Sequence, residues 1–275
     1  MLSNKDQNYR AIERTARALQ QTDADTGELS DETLLKKLHA AELSNRSGFQ
    51  PNITLGVTPE LMLPGEIRDK IAELIGPQGY RSAGIAALPI DRPLTEGEFA
   101  EVKDYFHLSY EDDGVVDLDR VEKIFPGQRY YHSTSGLTYA IQREFGWLSP
   151  EDLAFVATEL CGIRDYLEID PGFFVGTDPT WVAGYGIPAP ASRPSALLSI
   201  LKIPLDDPEI RRLMKTALLL EVDIATFRTQ LPSTDCFVVR QSDINRTQPV
   251  FEVIAPVAPM ASKIRAVLDW NGDPA

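Results

Sequence analysis

Histidine and cysteine are scarce in this chain of 275 residues: three histidines (His39, His107, His132) and two cysteines (Cys161, Cys236). Two cysteines without CxxC spacing make no disulfide framework, and a reduced chain with two small buried hydrophobes is the natural reading. No histidine has a Cys, His or carboxylate partner at metal-ligand spacing, so zinc chemistry has no support and no metal is expected. Basic side chains are also short, 27 Lys+Arg against 41 Asp+Glu for a formal charge of −14. Duplex nucleic acid and anionic membranes both draw their affinity from Lys and Arg, so neither is the expected main partner. No apolar run approaches the roughly 20 residues of a membrane helix. The opening MLSNKDQNYR has no apolar stretch of signal-peptide type, and a cytoplasmic, membrane-free protein is expected. P-loop, GxGxxG, HExxH and GxSxG patterns are all missing, which leaves Rossmann hydride transfer and zinc hydrolysis without a motif.

What is present is an ordinary globular balance, 43% apolar and 25% charged residues. Residues 1–125 carry a net −9 and residues 126–275 a net −5. The front part reads as short amphipathic helices: over 5–21 with Tyr9, Ile12, Ala16 and Leu19 on one face, after Ser30, and after Pro64. A fourth follows Thr95, whose spacing to Glu98 is that of a capping box. Residues 44–63 and 76–94 read as loops or irregular extended chain. Glu111-Asp112-Asp113-Gly114 has a calcium-loop flavour, but the pattern would need Ser109 and Arg120 as its first and last ligands, so it reads as a solvated acidic linker. After residue 126 the texture changes to a strand over 129–134, helices over 137–145 and 149–167, and a short strand over 172–176. Asp178-Pro179 caps a further short helix, a Pro/Ala/Ser-rich loop spans 187–195, and four strands follow near 217–224, 236–240, 250–254 and 264–268. The expected fold is α+β, a helical region over 1–125 followed by a second domain over 126–275.

One segment carries more information than its neighbours. Tyr130-Tyr131-His132-Ser133-Thr134-Ser135 ends a strand in a histidine and three hydroxyls, and a helix follows. Then come Gly172-Phe173-Phe174-Val175-Gly176, with Ala183 and Tyr185 on the next helix, and a late strand with Glu252. This order resembles the ADP-ribosyltransferase fold, in the histidine–aromatic–glutamate branch shared by diphtheria-type toxins and poly(ADP-ribose) polymerases, over residues 128–270. The resemblance implies a split β-sheet core and transfer of ADP-ribose from NAD to a macromolecular acceptor, protein rather than nucleic acid, as in toxins and effectors. It implies that His132 meets a ribose hydroxyl and that the chain at Ser133, beside Thr134, grips the nicotinamide amide. Phe174 would then stack on the nicotinamide ring, Tyr185 line the pocket, and Glu252 supply the catalytic carboxylate.

Independent chemistry agrees with that last role. Breaking the bond between ribose and nicotinamide passes through a cationic, oxocarbenium-like state, which a carboxylate beside the sugar stabilises. Three departures stand out: Ser133 in place of the family's glycine, Phe174 in place of its tyrosine, and Val250 where the arginine-modifying branch has Glu or Gln. An NAD glycohydrolase and an inactive protein-binding module are the alternative readings. The run Ser133-Thr134-Ser135 also fits as a plain cap for the following helix. The helices of 1–125 are expected to select the target or restrain activity.

Overall fold

The computed structural model describes residues 4–22, 29–41, 51–75, 87–148, 172–186, 204, 206–242 and 249–270. The expected helix over 149–167, Cys161 and the loop over 187–195 lie outside the described residues. Four early helices are where the sequence puts them: α1 (Asn4–Thr22), α2 (Asp31–Ala40), α3 (Gly65–Ile75) and α4 (Glu96–Ser109). Ser30 caps α2 by accepting from the amide of Thr33, and Thr95 and Glu98 form a reciprocal capping box at α4. Between and after them run β1 (Asn52–Leu55), β2 (Ala87–Leu88), β3 (Val116–Asp117) and α5 (Leu118–Ile124).

The second half continues with β4 (Tyr130–Ser135), α6 (Gly136–Phe145), β5 (Trp147–Leu148), β6 (Phe173–Gly176) and α7 (Pro179–Ala183). A 3-10 turn, Gly184–Gly186, follows α7. Then come α8 (Pro208–Lys215), β7 (Thr216–Val222), α9 (Phe227–Gln230), β8 (Asp235–Ser242), β9 (Val250–Ala255) and β10 (Ser262–Asp269). Asp178 and Asp207 cap α7 and α8 in the same way, each accepting from two amides with a proline at the first turn.

The fold is α+β. Eight strands form an antiparallel sheet in the order β1-β10-β7-β4-β6-β9-β8-β3, and β2 pairs with β5 apart from it. Strand alternation gives the large sheet two distinct faces. On one face Tyr130, Phe173, Val175, Val239, Phe251 and Val253 pack beneath α1 and α5, while Leu218, Leu220 and Val267 pack beneath α3, α6 and α8. On the other face Tyr131, Ala217, Leu219 and Val250 meet α2 and α7, and Val238 and Ile254 meet Phe106 and Tyr110 of α4. Residues 1–125 supply both edge strands, β1 and β3, and share these cores with the later part.

Three expectations change. The stretch over 44–63 contains β1, whose register runs Asn52 opposite Asp269 to Leu55 opposite Ala266, and 76–94 contains β2. In β1 Ile53 and Leu55 alternate with exposed Asn52 and Thr54 and pack against the cluster that holds Leu34, Leu38 and Trp181. The acidic stretch is only partly a solvated linker: Asp113 holds Arg240, and Asp117 caps α5 by accepting from the amide of Arg120 at 2.6 Å. The helix α8, with Ile210 and Leu213 buried, was not expected from the sequence.

Candidate functional site

The sheet is weakest in its middle. β4 pairs with β7 over six residues, and β6 pairs with β9 over four, but β4 and β6 meet in register at one position, Tyr131 opposite Gly176. Beyond that point the ladder between them stops, leaving strand polar groups that need another partner. His132 supplies one: its Nδ1 donates to the carbonyl of Phe174 at 2.7 Å. Because a carbonyl only accepts, the proton sits on Nδ1. The imidazole also lies against the ring of Phe173, with centroids 4.0 Å apart.

Alternation sorts the residues around this opening. His132 lies opposite Leu220 and Thr134 opposite Leu218, so both belong to the face that carries Phe173. Ser133 lies opposite Leu219, on the face of Tyr131 and α7. Continuing the register of Tyr131 and Gly176 puts Ser133 across the opening from Phe174, on the same face. Phe174 is half-buried against Phe106, Tyr110, Val238 and Ile254. Glu252, also half-buried, lies opposite Gly176 on β9 and so shares that face two positions along.

Thus the structure brings Ser133, Phe174 and Glu252 together on one face of the opening, and it turns His132 and Thr134 to the other. Tyr185 is on the turn that follows α7. It is 53% exposed on the turn after α7 and meets Trp181 edge to face at 4.7 Å. Gly176 explains how closely α7 sits here: a Cβ at this position would fall 2.5 Å from Cγ2 of Val182 and 3.2 Å from the ring of Trp181. Such close packing is one reason for a glycine inside a strand.

The charge beside Glu252 comes from residues not singled out in the sequence. Arg240 lies directly opposite Glu252 across β8 and β9. Its guanidinium donates to Oδ2 of Asp113 from Nε at 3.1 Å and Nη2 at 2.5 Å, and it sits 4.8 Å over the ring of Tyr110. Asp113 and Tyr110 therefore hold the Arg240 guanidinium on β8 at the position that faces Glu252 on β9. The acidic run over 111–113 was the available signal, since a carboxylate there has to find a cation or water.

Two polar groups near the opening have unusual surroundings. The hydroxyl of Ser133 is buried, the residue being 8% exposed, and it has no hydrogen-bond partner. The phenol of Tyr131, on the same face, is pushed above its ordinary pKa by burial first and by Glu221 second. Among the described residues no group of three or more His, Cys, Asp or Glu is placed to hold a metal ion. No helix among them is long and apolar enough to cross a membrane. Comparison of the chain with protein-family models, curated proteins and solved structures gave no match.

Proposed function

We propose that the chain transfers ADP-ribose from NAD to a macromolecular acceptor, a protein in preference to a nucleic acid, at the face of the opening that carries Ser133, Phe174 and Glu252. The observation that carries this reading is the single-position contact between β4 and β6, with an aromatic ring and a carboxylate on one face beside it. The split sheet, the aromatic residue and the strand glutamate are the three features that the resemblance to ADP-ribosyltransferases implies.

In this reading each side chain has work suited to its place. Phe174 offers a flat apolar surface to a pyridinium ring, and Tyr185, exposed on the turn after α7, is the second aromatic of the reading. The acceptor's nucleophile attacks C1 of the ribose as the bond to the nicotinamide nitrogen breaks. The bonding electron pair stays on that nitrogen and neutralises the ring, and the acceptor's proton passes to a base or to solvent. Glu252 stabilises the positive charge that grows on the ribose during the step. Arg240 lies directly opposite it on β8. His132 fixes the width of the opening through Phe174, and its contact with a ribose hydroxyl, as the resemblance implies, requires the sugar to enter the opening itself.

The test is to incubate the protein with NAD labelled in the ADP-ribose part, with and without cell lysate. The reading predicts label on a lysate protein, reduced by about a hundredfold or more in Glu252→Gln, the scale expected for loss of a group that stabilises transition-state charge. Nicotinamide release without any labelled acceptor would make water the acceptor. Undiminished labelling by Glu252→Gln contradicts the assignment of the carboxylate.

A further inference from the structure

Tyr9 of α1 reaches the far edge of the sheet, where its hydroxyl donates to the carbonyl of Gly114 at 2.5 Å. That carbonyl lies where the ladder between β3 and β8 ends. The pairing of Val116 with Phe237, continued in the antiparallel pattern, would set Gly114 opposite Val239. Gly114 does not extend the strand. It takes a positive φ of 82°, and its amide turns back to the carbonyl of Tyr110 at the end of α4, 3.0 Å away. The phenol of Tyr9 stands in the gap. Beside Gly114 it interacts with the backbone of Val239, which lowers a phenol pKa that burial raises. A side chain of α1 therefore takes the place of a backbone rung at the strand edge.

The turn over 110–114 gives this bond its importance. Asp113, next to Gly114, accepts from Nε and Nη2 of Arg240, and the ring of Tyr110 lies against the same guanidinium. Arg240 is in turn directly opposite Glu252, and residues opposite each other in an antiparallel pair share a face. The turn is thus tied to β8 through Asp113 and to α1 through Gly114. The helix itself docks by Tyr9, Ile12 and Ala16, and by Glu13 paired with Arg120 at 2.8 Å.

We infer that Tyr9 is a positioning residue: by holding the Gly114 carbonyl it fixes Asp113, and through Asp113 it sets the Arg240 guanidinium at the position facing Glu252. The consequence for catalysis rests on the ADP-ribosyl-transfer reading above, whereas the coupling of Tyr9 to Arg240 stands without it. The first helix then has a definite task, since whatever draws α1 off the sheet edge releases the arginine.

The experiment follows the NMR signal of the Arg240 Nε proton in the full chain, assigned by its loss in Arg240→Lys. Its hydrogen-exchange rate is compared in wild type, Tyr9→Phe and Ile12→Val. Tyr9→Phe keeps the ring and removes only the hydroxyl. Ile12→Val loosens the packing of the same helix and leaves the hydroxyl in place. The expected exchange is about tenfold faster in Tyr9→Phe, the scale of one lost hydrogen bond, and within about twofold of wild type in Ile12→Val. With labelled NAD and lysate, Tyr9→Phe and Asp113→Asn should each slow labelling. The double variant should be no slower than the slower single one, because both act through Arg240. An unchanged exchange rate in Tyr9→Phe overturns the inference. Equal acceleration by Ile12→Val overturns it too, since Tyr9 would then be ordinary packing, and so do additive losses in labelling. If wild type labels nothing, the transfer reading falls, and the exchange rates alone decide whether Tyr9 holds Arg240.

Discussion

His132 Nδ1 and the carbonyl of Phe174 are 2.7 Å apart, and this side-chain bond spans β4 and β6 where their backbone ladder has stopped. The eight-stranded sheet thus consists of two well-paired groups of strands joined at a weak seam. One group is β1, β10, β7 and β4; the other is β6, β9, β8 and β3. An opening in a sheet exposes backbone polar groups and a pair of facing side chains, which is what a ligand with both flat and polar parts can use. At the seam Gly176 lets Val182 and Trp181 of α7 approach the sheet closely.

Gly176 should tolerate little. The Cβ of Gly176→Ala would meet Val182, whose β-branched side chain has few rotamers to retreat to. The expected cost is about 1–3 kcal/mol of overpacking, read as a lower urea midpoint with an unchanged slope. Gly97→Ala, in the exposed first turn of α4 with nothing within 4 Å of the new Cβ, is the contrast. It should be neutral or stabilise by up to about 1 kcal/mol.

Arg265 is the most deeply buried charge among the described residues, its side chain 3% exposed. It pairs with Glu221, which also holds Arg129, and it donates to the carbonyl of Leu29 at 2.7 Å and to Oδ1 of Asp31 at 2.9 Å. This ties the start of α2 to β7 and β10. Arg265→Met should cost about 3–5 kcal/mol, because it leaves Glu221 poorly compensated. The double variant Arg265→Met with Glu221→Leu should lose less than the single one. Chemical denaturation of the three proteins checks the order.

Much of this was readable from residues with local rules. Thr95 with Glu98, Ser30, the run Ser133-Thr134-Ser135 and Asp178-Pro179 predict helix starts that the structure contains, since a cap needs only its own next three amides. Ser135 is a cap as well as a neighbour of the candidate site: its Oγ accepts from the amide of Thr138 at 3.1 Å. Apolar runs such as 217–224 and 250–254 predict strands, and the structure has them at Thr216–Val222 and Val250–Ala255, because burial on both faces leaves a continuous signature. The short edge strand β1 alternates Ile53 and Leu55 with polar residues, but four residues are too few to separate a strand from irregular extended chain. Nor was the sidedness of the site. That His132 and Ser133 face opposite ways follows from alternation alone, but which of them shares a face with Glu252 depends on the registers of three strand pairs. Asp113 and Arg240 are 127 positions apart, and no spacing rule connects them.

Glu98 gives a pH dependence with a definite sign. Its carboxyl falls from the ordinary 4.5 to about 2, first through Arg92, bonded at 2.6 Å and 3.0 Å, and then through the amide of Thr95. The unfolded chain takes up this proton near 4.5 and the folded one only near 2. The stabilisation is therefore complete above about 4.5 and is lost as the pH falls from there towards about 2. Wild type should melt above Glu98→Gln at pH 6, and the gap should narrow at pH 2.5, at moderate salt. A gap that widens on acidification contradicts the sign.

The most direct test of the NAD site is a calorimetric titration of NAD into wild-type protein and into Phe174→Leu. The account predicts a single saturable site in the wild type. It predicts binding at least about tenfold weaker in the variant, since stacking on an aromatic face is worth on the order of 1 kcal/mol or more beyond the area it buries. The variant should retain a cooperative unfolding transition. Absence of binding by the wild type, or equal affinity in the two proteins, would contradict it.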